Sequence, residues 1–313
     1  MISIVIPVFN EELNIPILLA RLEKASATWG DSYEIIFVDD GSIDLTATLL
    51  EAANVSNPCV KLISLSRNFG QQIAISAGLA YATGDAVVIM DADLQDPPEI
   101  VHEFLEKWRQ GYHVVYGIRR KRKEGKLIRL CYWWFYRLLG QLSNIQIPVD
   151  SGDFCVMDRR VVDELKRLPE RNRFLRGLRS WVGFKQIGIE FERDARLLGE
   201  IKYTIKRLLQ LALDGLVSFS HKPLKIIGLA GFLLSMSSFV ALSVFFIASV
   251  SGVKILGHTP RDFPGYTTLT LAVLLLGGVQ LLSLWIIGEY IGRIFDEVKQ
   301  RPMFITKRTV GLG

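Results

Sequence analysis

Ala86-Val87-Val88-Ile89-Met90-Asp91-Ala92-Asp93 joins a short, wholly apolar run to an acidic turn, and Gln95 follows two residues on. Five successive apolar residues with β-branched side chains among them predict a buried strand. Asp91 and Asp93 stand where that strand ends, and alternate residues of an extended segment can both reach one ion. With the amide oxygen of Gln95 they make a hard-oxygen donor set, suited to Mg²⁺ or Mn²⁺ that is also bound by phosphate oxygens. An isolated Asp-x-Asp is usually a solvated turn. This one follows a buried strand and has a counterpart, because Tyr33–Val38 is another apolar run and ends in Asp39-Asp40-Gly41-Ser42.

The pattern extends outward on both sides. Ile2–Phe9 is apolar, too short and too β-branched for a signal peptide, and closes in Asn10-Glu11-Glu12. Val60–Leu65 and His113–Tyr116 read as further strands. Helical patterns occupy the intervals near 13–29, 44–54, 71–83 and 97–110. Short apolar strands alternating with helices predict an α/β fold with a mostly parallel sheet covered on both faces. The acidic turns then fall at the carboxyl edge of the sheet, where open α/β sheets bind ligands.

At roughly 150 residues per domain, 313 residues suggest about two units. With 50% hydrophobic and 22% charged residues the chain is no disordered tail. The apolar excess lies in the last third. No charge occurs between Lys225 and Lys254, or between Asp262 and Glu289. Each interval exceeds the ~20 residues that a helix needs to cross a bilayer, so two transmembrane helices are expected. Lys202, Lys206, Arg207, Lys222 and Lys225 precede the first, and Arg293, Lys299, Arg301, Lys307 and Arg308 follow the second. The positive-inside rule then puts both termini and the catalytic domain in the cytoplasm, with a short external loop. The expected boundaries are a catalytic domain at 1–200, an amphipathic juxtamembrane helix at 201–225, two spans within 226–290 and a tail at 291–313. The second span carries Gly288 and Gly292, a small-xxx-small spacing that suggests packing against the first span or another protomer, hence a homo-oligomer.

Several chemistries are disfavoured. Cys59, Cys131 and Cys155 are too few and scattered for a disulfide framework or zinc cluster, which suits a reducing compartment. There is no G-x-G-x-x-G after the first strand and no G-x-x-x-x-G-K-[ST], against a dinucleotide oxidoreductase or P-loop ATPase. The net charge of +5 does not by itself choose a partner. Its densest part does: Arg119, Arg120, Lys121, Arg122, Lys123, Lys126 and Arg129 run into the aromatic stretch 130–136. Basic-aromatic amphipathic segments suit a headgroup boundary, so anionic lipid or a lipid phosphate is expected there rather than nucleic acid.

Ile4-Val5-Ile6-Pro7-Val8-Phe9-Asn10-Glu11-Glu12, Val38-Asp39-Asp40-Gly41-Ser42, Arg67-Asn68-Phe69-Gly70 and Asp91-Ala92-Asp93-Leu94-Gln95-Asp96-Pro97-Pro98 resemble, in order and spacing, family 2 glycosyltransferases of GT-A fold. Asp150-Ser151-Gly152-Asp153-Phe154 and the two terminal apolar segments narrow the resemblance to polyprenyl-phosphate glycosyltransferases, such as bactoprenol glucosyltransferases and dolichol-phosphate mannose synthases. The resemblance implies that Pro7, Phe9, Glu11, Val38, Asp39, Asp40 and Asp91 hold the nucleotide sugar. It implies that Asp91, Asp93 and Gln95 hold Mg²⁺ or Mn²⁺, and that Arg119, Arg122, Lys126, Lys202 and Tyr203 meet the acceptor phosphate. Asp93, Asp153, Arg119 and Arg122 would be the catalytic set, with no firm role for Asp153. Two positions depart from the pattern: Ile201 stands where Ser or Thr is expected, and Cys155 where Arg is common. No Gln-x-x-Arg-Trp of processive synthases occurs.

The expectation is an inverting, metal-dependent transfer of one hexose, glucose from UDP-glucose, to polyprenyl phosphate at the bilayer surface. Other donors (GDP-mannose, an amino sugar), a hydroxyl or polymer acceptor, and a nucleotidyltransferase with the same acidic site stay open. So does a non-catalytic subunit that binds or flips a lipid carrier.

Overall fold

The computed structural model describes residues 1–119, 151–171, 173–191, scattered positions between 229 and 251, and 265–312. They belong to two compact units, Met1–Leu216 with Gln300–Gly313, and Val217–Lys299.

The first unit opens with β1 (Ile2–Val8), α1 (Ile15–Ser26), β2 (Tyr33–Asp39), α2 (Thr46–Ser56), β3 (Val60–Leu65), α3 (Gln71–Tyr81) and β4 (Ala86–Ile89). A 3₁₀ turn at Pro98–Ile100 leads into α4 (Val101–Arg109) and β5 (Val114–Arg119). Then come β6 (Ser151–Asp158), α5 (Arg159–Arg167), α6 (Leu175–Trp181) and β7 (Gln186–Phe191). The eight-stranded sheet has the order β7-β5-β6-β4-β1-β2-β3-β8, where β8 is Thr306–Val310. β4, β1, β2 and β3 are parallel, as the alternation predicts. β6 runs antiparallel between β4 and β5.

Every residue of β1 is buried, because α-helices cover both faces of the sheet. On one face Ile4, Ile6, Phe37, Val88 and Val156 meet Leu18, Leu22 and Phe104 from the covering helices. Large side chains such as Trp29, Phe37, Phe104 and Phe154 are fully buried, each worth about 1.5–3 kcal/mol by transfer from water. On the other face α3 comes so close that a Cβ at Gly78 would collide with Val5 and Val38. At the amino end of the sheet, buried Glu34 accepts hydrogen bonds from Ser3 Oγ (2.5 Å), Lys61 Nζ (2.7 Å) and Thr83 N (2.9 Å) and Oγ1 (2.8 Å). Burial alone would raise its pKa; these donors outweigh burial and hold it at about 2.

The antiparallel β6 has a consequence for the carboxyl edge. Its register pairs Ile89 with Cys155. Two residues further along each strand, Asp91 and Asp153 therefore stand at the same level of that edge. Beside β3, β8 closes the opposite side of the sheet antiparallel. Ser66 N donates to the Ile305 carbonyl (2.9 Å), and Arg308 pairs with Glu51. A terminal strand from the basic tail was not anticipated by the apolar pattern, since Thr306–Val310 carries Lys307 and Arg308 on an exposed edge.

The second unit includes α7 (Gly265–Val298), 34 residues and ~51 Å long at 1.5 Å per residue. Leu269, Val273, Leu276, Leu281, Leu284 and Trp285 are among its exposed apolar side chains. Among the described residues, no helix is long and apolar enough to cross a membrane, so the expectation of two spans gains no support there. Most of the first expected span lies outside the described residues. Nothing described lies within 4 Å of a Cβ built at Gly288 or Gly292, so the expected packing of that pair is also without support.

Candidate active site

The loops after β1 and β2 interlock. Asn10, left-handed at φ 54°, receives Ile43 N on its Oδ1 (3.0 Å), while its own N–H donates to Ser42 Oγ (2.9 Å). Glu11 N donates to Thr46 Oγ1 (2.9 Å), and the Glu11 carboxylate accepts from Asn14 Nδ2 (2.6 Å). Pro7 and Val38 are adjacent buried partners in the β1–β2 register, and Phe9 is exposed beyond them. This brings together the residues expected to hold a nucleotide: Pro7, Phe9, Glu11, Val38, Asp39 and Asp40.

The carboxylates of Asp39 and Asp40 are already engaged by the backbone. Asp39 Oδ1 accepts from Ser42 N (2.9 Å). Asp40 is 3% exposed and accepts from Phe69 N (2.7 Å) on one oxygen and Gly70 N (2.8 Å) on the other. Burial, with Asp39 adding to it, pushes the Asp40 pKa up against these two N–H groups. Gly41 lies at φ +76°, and a Cβ there would be 2.6 Å from the Arg67 carbonyl carbon. Only glycine lets the β2 turn approach the 66–70 loop this closely. Asp40 thus clamps the Arg67-Asn68-Phe69-Gly70 segment to the edge of β2.

That segment leads directly into α3, whose first two side chains reach across the edge. Gln71 Nε2 donates to Asp91 Oδ1 (2.7 Å). Gln72 Nε2 donates to Asp153 Oδ2 (2.9 Å), and Gln72 Oε1 accepts from Leu175 N (2.9 Å). The other Asp153 oxygen lies 3.0 Å from Arg176 Nε. Asp91 and Asp153, 62 positions apart, are thereby held by neighbouring residues of one helix. Neither glutamine is conspicuous by spacing. Their place immediately after Arg67–Gly70 is the one signal that pointed to them.

The turn after Asp91 is tight. Asp96 is 1% exposed and accepts from Asp91 N (3.2 Å). Gln95 N donates to Asp93 Oδ1 (3.2 Å), and Leu94 between them has φ 62°. A left-handed branched residue is strained, and such strain is found where a turn must present particular groups. No group of three His, Cys, Asp or Glu side chains converges among the described residues. Two carboxylates and an amide oxygen on one turn still fit a cation of the Mg²⁺ type, which takes one or two carboxylates and leaves its other positions to water and substrate phosphate.

Of the residues expected at the acceptor, Arg122, Lys126, Lys202 and Tyr203 lie outside the described residues. Arg119 ends β5, and its side chain is outside them too. Cys155 is buried, and burial raises its thiol pKa although Arg179 stands beside it. Arg176 and Arg179, one turn apart on α6, were not singled out from the sequence. Two arginines at i, i+3 in the short run Leu175–Trp181 were the available signal.

The family model described as "Glycosyl transferase family 2" matches residues 3–166, which contain all the acidic turns described above. The "Uncharacterized glycosyltransferase YkcC" of Bacillus subtilis (strain 168) is 48% identical over 99% of this chain and 94% of its own. A "Prophage bactoprenol glucosyl transferase homolog" of Escherichia coli (strain K12) and the "Bactoprenol glucosyl transferase" of Shigella phage SfII are each 40% identical over 98% of both chains. An acidic edge of this construction in a sheet of this order, with identities that run the whole length, leaves one assignment: the chain belongs to glycosyl transferase family 2 and is a glycosyltransferase.

Proposed function

We propose that this glycosyltransferase moves a single glucose from UDP-glucose to a polyprenyl phosphate at the cytoplasmic face of a membrane, with inversion at the anomeric carbon. The observation that carries the reading is the 40% identity to bactoprenol glucosyl transferases through both units, over 98% of the chain. The absence of Gln-x-x-Arg-Trp favours one transfer over polymerisation.

The chemistry suits the site. A phosphate monoester is largely anionic near pH 7, with its second pKa about 6, so the acceptor needs no general base. Both oxygens of Asp153 are engaged, by Gln72 and Arg176, which suits a positioning role rather than proton abstraction. Asp40 holds the 66–70 loop against the edge where the nucleoside would lie. Asp91, Asp93 and Gln95 would hold Mg²⁺ or Mn²⁺; when bound, the ion neutralises charge on the departing diphosphate. Arg119, Arg122, Lys126, Lys202 and Tyr203 are assigned to the acceptor phosphate, whose approach to an anionic donor requires cationic screening.

For the membrane, the support is the pair of charge-free intervals and the exposed apolar side chains of α7, a surface that water does not favour. The chain leaves the first unit after Leu216 and returns to it at Gln300, where β8 joins the sheet. If the second unit sits in a bilayer, it crosses an even number of times, with both termini on one side. Incubating membranes that contain the chain with radiolabelled UDP-glucose and polyprenyl phosphate tests the reading. Label moving into the organic phase is expected. Label in polymer, or none transferred, overturns it.

A further inference from the structure

Arg179 is 2% exposed. Its guanidinium stands 5.3 Å from the centroid of the Tyr116 ring and beside the Cys155 thiol. Its Nε and Nη2 are buried and have no hydrogen-bond partner. A small cavity under the carboxyl edge is lined by Arg179 together with Ile89, Asp153, Cys155, Leu175 and Arg176. Two carboxylates act on Cys155 from the same surroundings: Asp153, which is held by Arg176 and Gln72, and Asp96, which accepts from Asp91 N. Cys155 supplies no countercharge, since burial pushes its pKa up and keeps it a neutral thiol.

A buried cation with donors that no carboxylate accepts is expensive, even where an aromatic face offsets part of the cost. A packing role at this position would be served better by a neutral side chain of the same length. Arg179, with Nε and Nη2 unpartnered, lines the cavity next to Asp153, whose level in the sheet is that of Asp91. An anion that completes them would have to carry several oxygens and be at home beside a diphosphate-handling edge.

We propose that Arg179 is a phosphate-binding residue of this site, taking an anionic phosphate oxygen on Nε and Nη2 between β6 and α6. Arginine's planar fork presents both nitrogens to a phosphate, and the face of the Tyr116 ring lies 5.3 Å from the guanidinium. Two phosphates come within the chemistry of the reaction proposed above, the donor's diphosphate and the acceptor's monoester, and the inference rests on that reading only for these two sources.

The test compares the full chain in detergent with Arg179→Met and Arg179→Lys. Thermal midpoints are measured alone and with pyrophosphate, UDP or farnesyl phosphate, and kcat and KM are measured for each substrate. Relief of an unpaired buried charge predicts that R179M melts no lower than the parent and up to about 2–4 °C higher. It predicts at least about a tenfold weaker binding of one phosphate probe, with R179K between the two. A loss confined to UDP and pyrophosphate assigns Arg179 to the donor; a loss confined to farnesyl phosphate assigns it to the acceptor. A folded R179M that binds all three probes as the parent does overturns the proposal. So does an R179M chain that fails to fold while R179K keeps every affinity unchanged. If R179M both melts lower and binds less, R179K decides: restored probe affinity supports the proposal, and restored stability without affinity overturns it. Failure of the wider reading would show in the parent itself, as no transfer from UDP-glucose, and the pyrophosphate comparison would still decide the case of Arg179.

Discussion

The two ends of the carboxyl edge are built by different means. At the β1–β2 end, Asp39 and Asp40 receive backbone N–H groups from loops nearby in space, and no described cation touches them. At the β4–β6 end, Asp153 is held by side chains, Gln72 from α3 and Arg176 from α6. Backbone donors fix the shape of a loop and leave its side chains free to meet a ligand. Side-chain donors also set charge, and here one of them is the guanidinium of Arg176, with Arg179 one turn further along α6. On the function proposed above, the first end would hold a neutral, shaped group such as a nucleoside, and the second would manage negative charge.

The largest expected effect lies where the two ends meet. Asp91 answers to Gln71 and borders the turn that presents Asp93 and Gln95. Asp91→Asn should lower kcat by roughly 10²-fold or more, a loss of about 3 kcal/mol of transition-state stabilisation. EDTA should abolish turnover and Mg²⁺ or Mn²⁺ restore it. Full turnover of D91N, or activity indifferent to EDTA, would remove the cation from the account.

Next in size is Asp40→Ala. It deletes the acceptor of two N–H groups, each worth about 1.5–3 kcal/mol when the acceptor is charged. Donor affinity should fall by about 10- to 100-fold, with acceptor KM little changed. Asp40→Asn keeps one acceptor and should fall between. Calorimetric titration with UDP checks both, and equal losses in N and A would show that the clamp does not depend on the carboxylate.

Gln72 offers a smaller and more selective break. Gln72→Ala leaves Asp153 held by Arg176 alone and the first N–H of α6 without its acceptor, and should reduce kcat about tenfold while leaving UDP affinity within a factor of about two. Gln72→Glu sets a second carboxylate against Asp153 and should be worse than alanine. If Q72E is the milder variant, the bridge to Asp153 carries no weight in the reaction.

The smallest effect lies at the far end of the sheet and concerns stability. Glu34 has a pKa of about 2 in the folded chain against an ordinary value of 4.5. The unfolded chain takes up this proton first as pH falls. The contribution of Glu34 is therefore complete above about pH 4.5 and is lost progressively toward pH 2. The denaturation midpoint of the parent should fall across that window more steeply than that of Glu34→Gln. Parallel curves would show that Glu34 is not the group responsible.

The same comparison explains what could be read from the sequence. The strands of the parallel core and the acidic turns that end them are local: an apolar run and the residues that stop it are contiguous, as in Ala86–Asp93 and Tyr33–Ser42. So is the interlocking of Asn10–Glu12 with Ser42–Thr46, which follows once β1 and β2 pair in register. The β4–β6 end is not local. Gln72 and Asp153 are 81 positions apart, and Gln72 and Leu175 are 103 apart. No spacing rule links them before β6 is known to run antiparallel beside β4. Strand β8 was hidden for another reason. An edge strand needs little apolar content, and Lys307 and Arg308 disguise it as a solvated tail.

The division of labour along this edge is tested most directly by measuring UDP affinity and polyprenyl-phosphate-dependent kcat on the same preparations of the parent, D40A and Q72A. The account predicts a crossed result: D40A loses donor affinity with its acceptor KM near the parent's, and Q72A loses kcat with its UDP affinity near the parent's. If both variants lose UDP affinity and kcat in the same proportion, the two ends act as one, and the separation argued from their different construction is wrong.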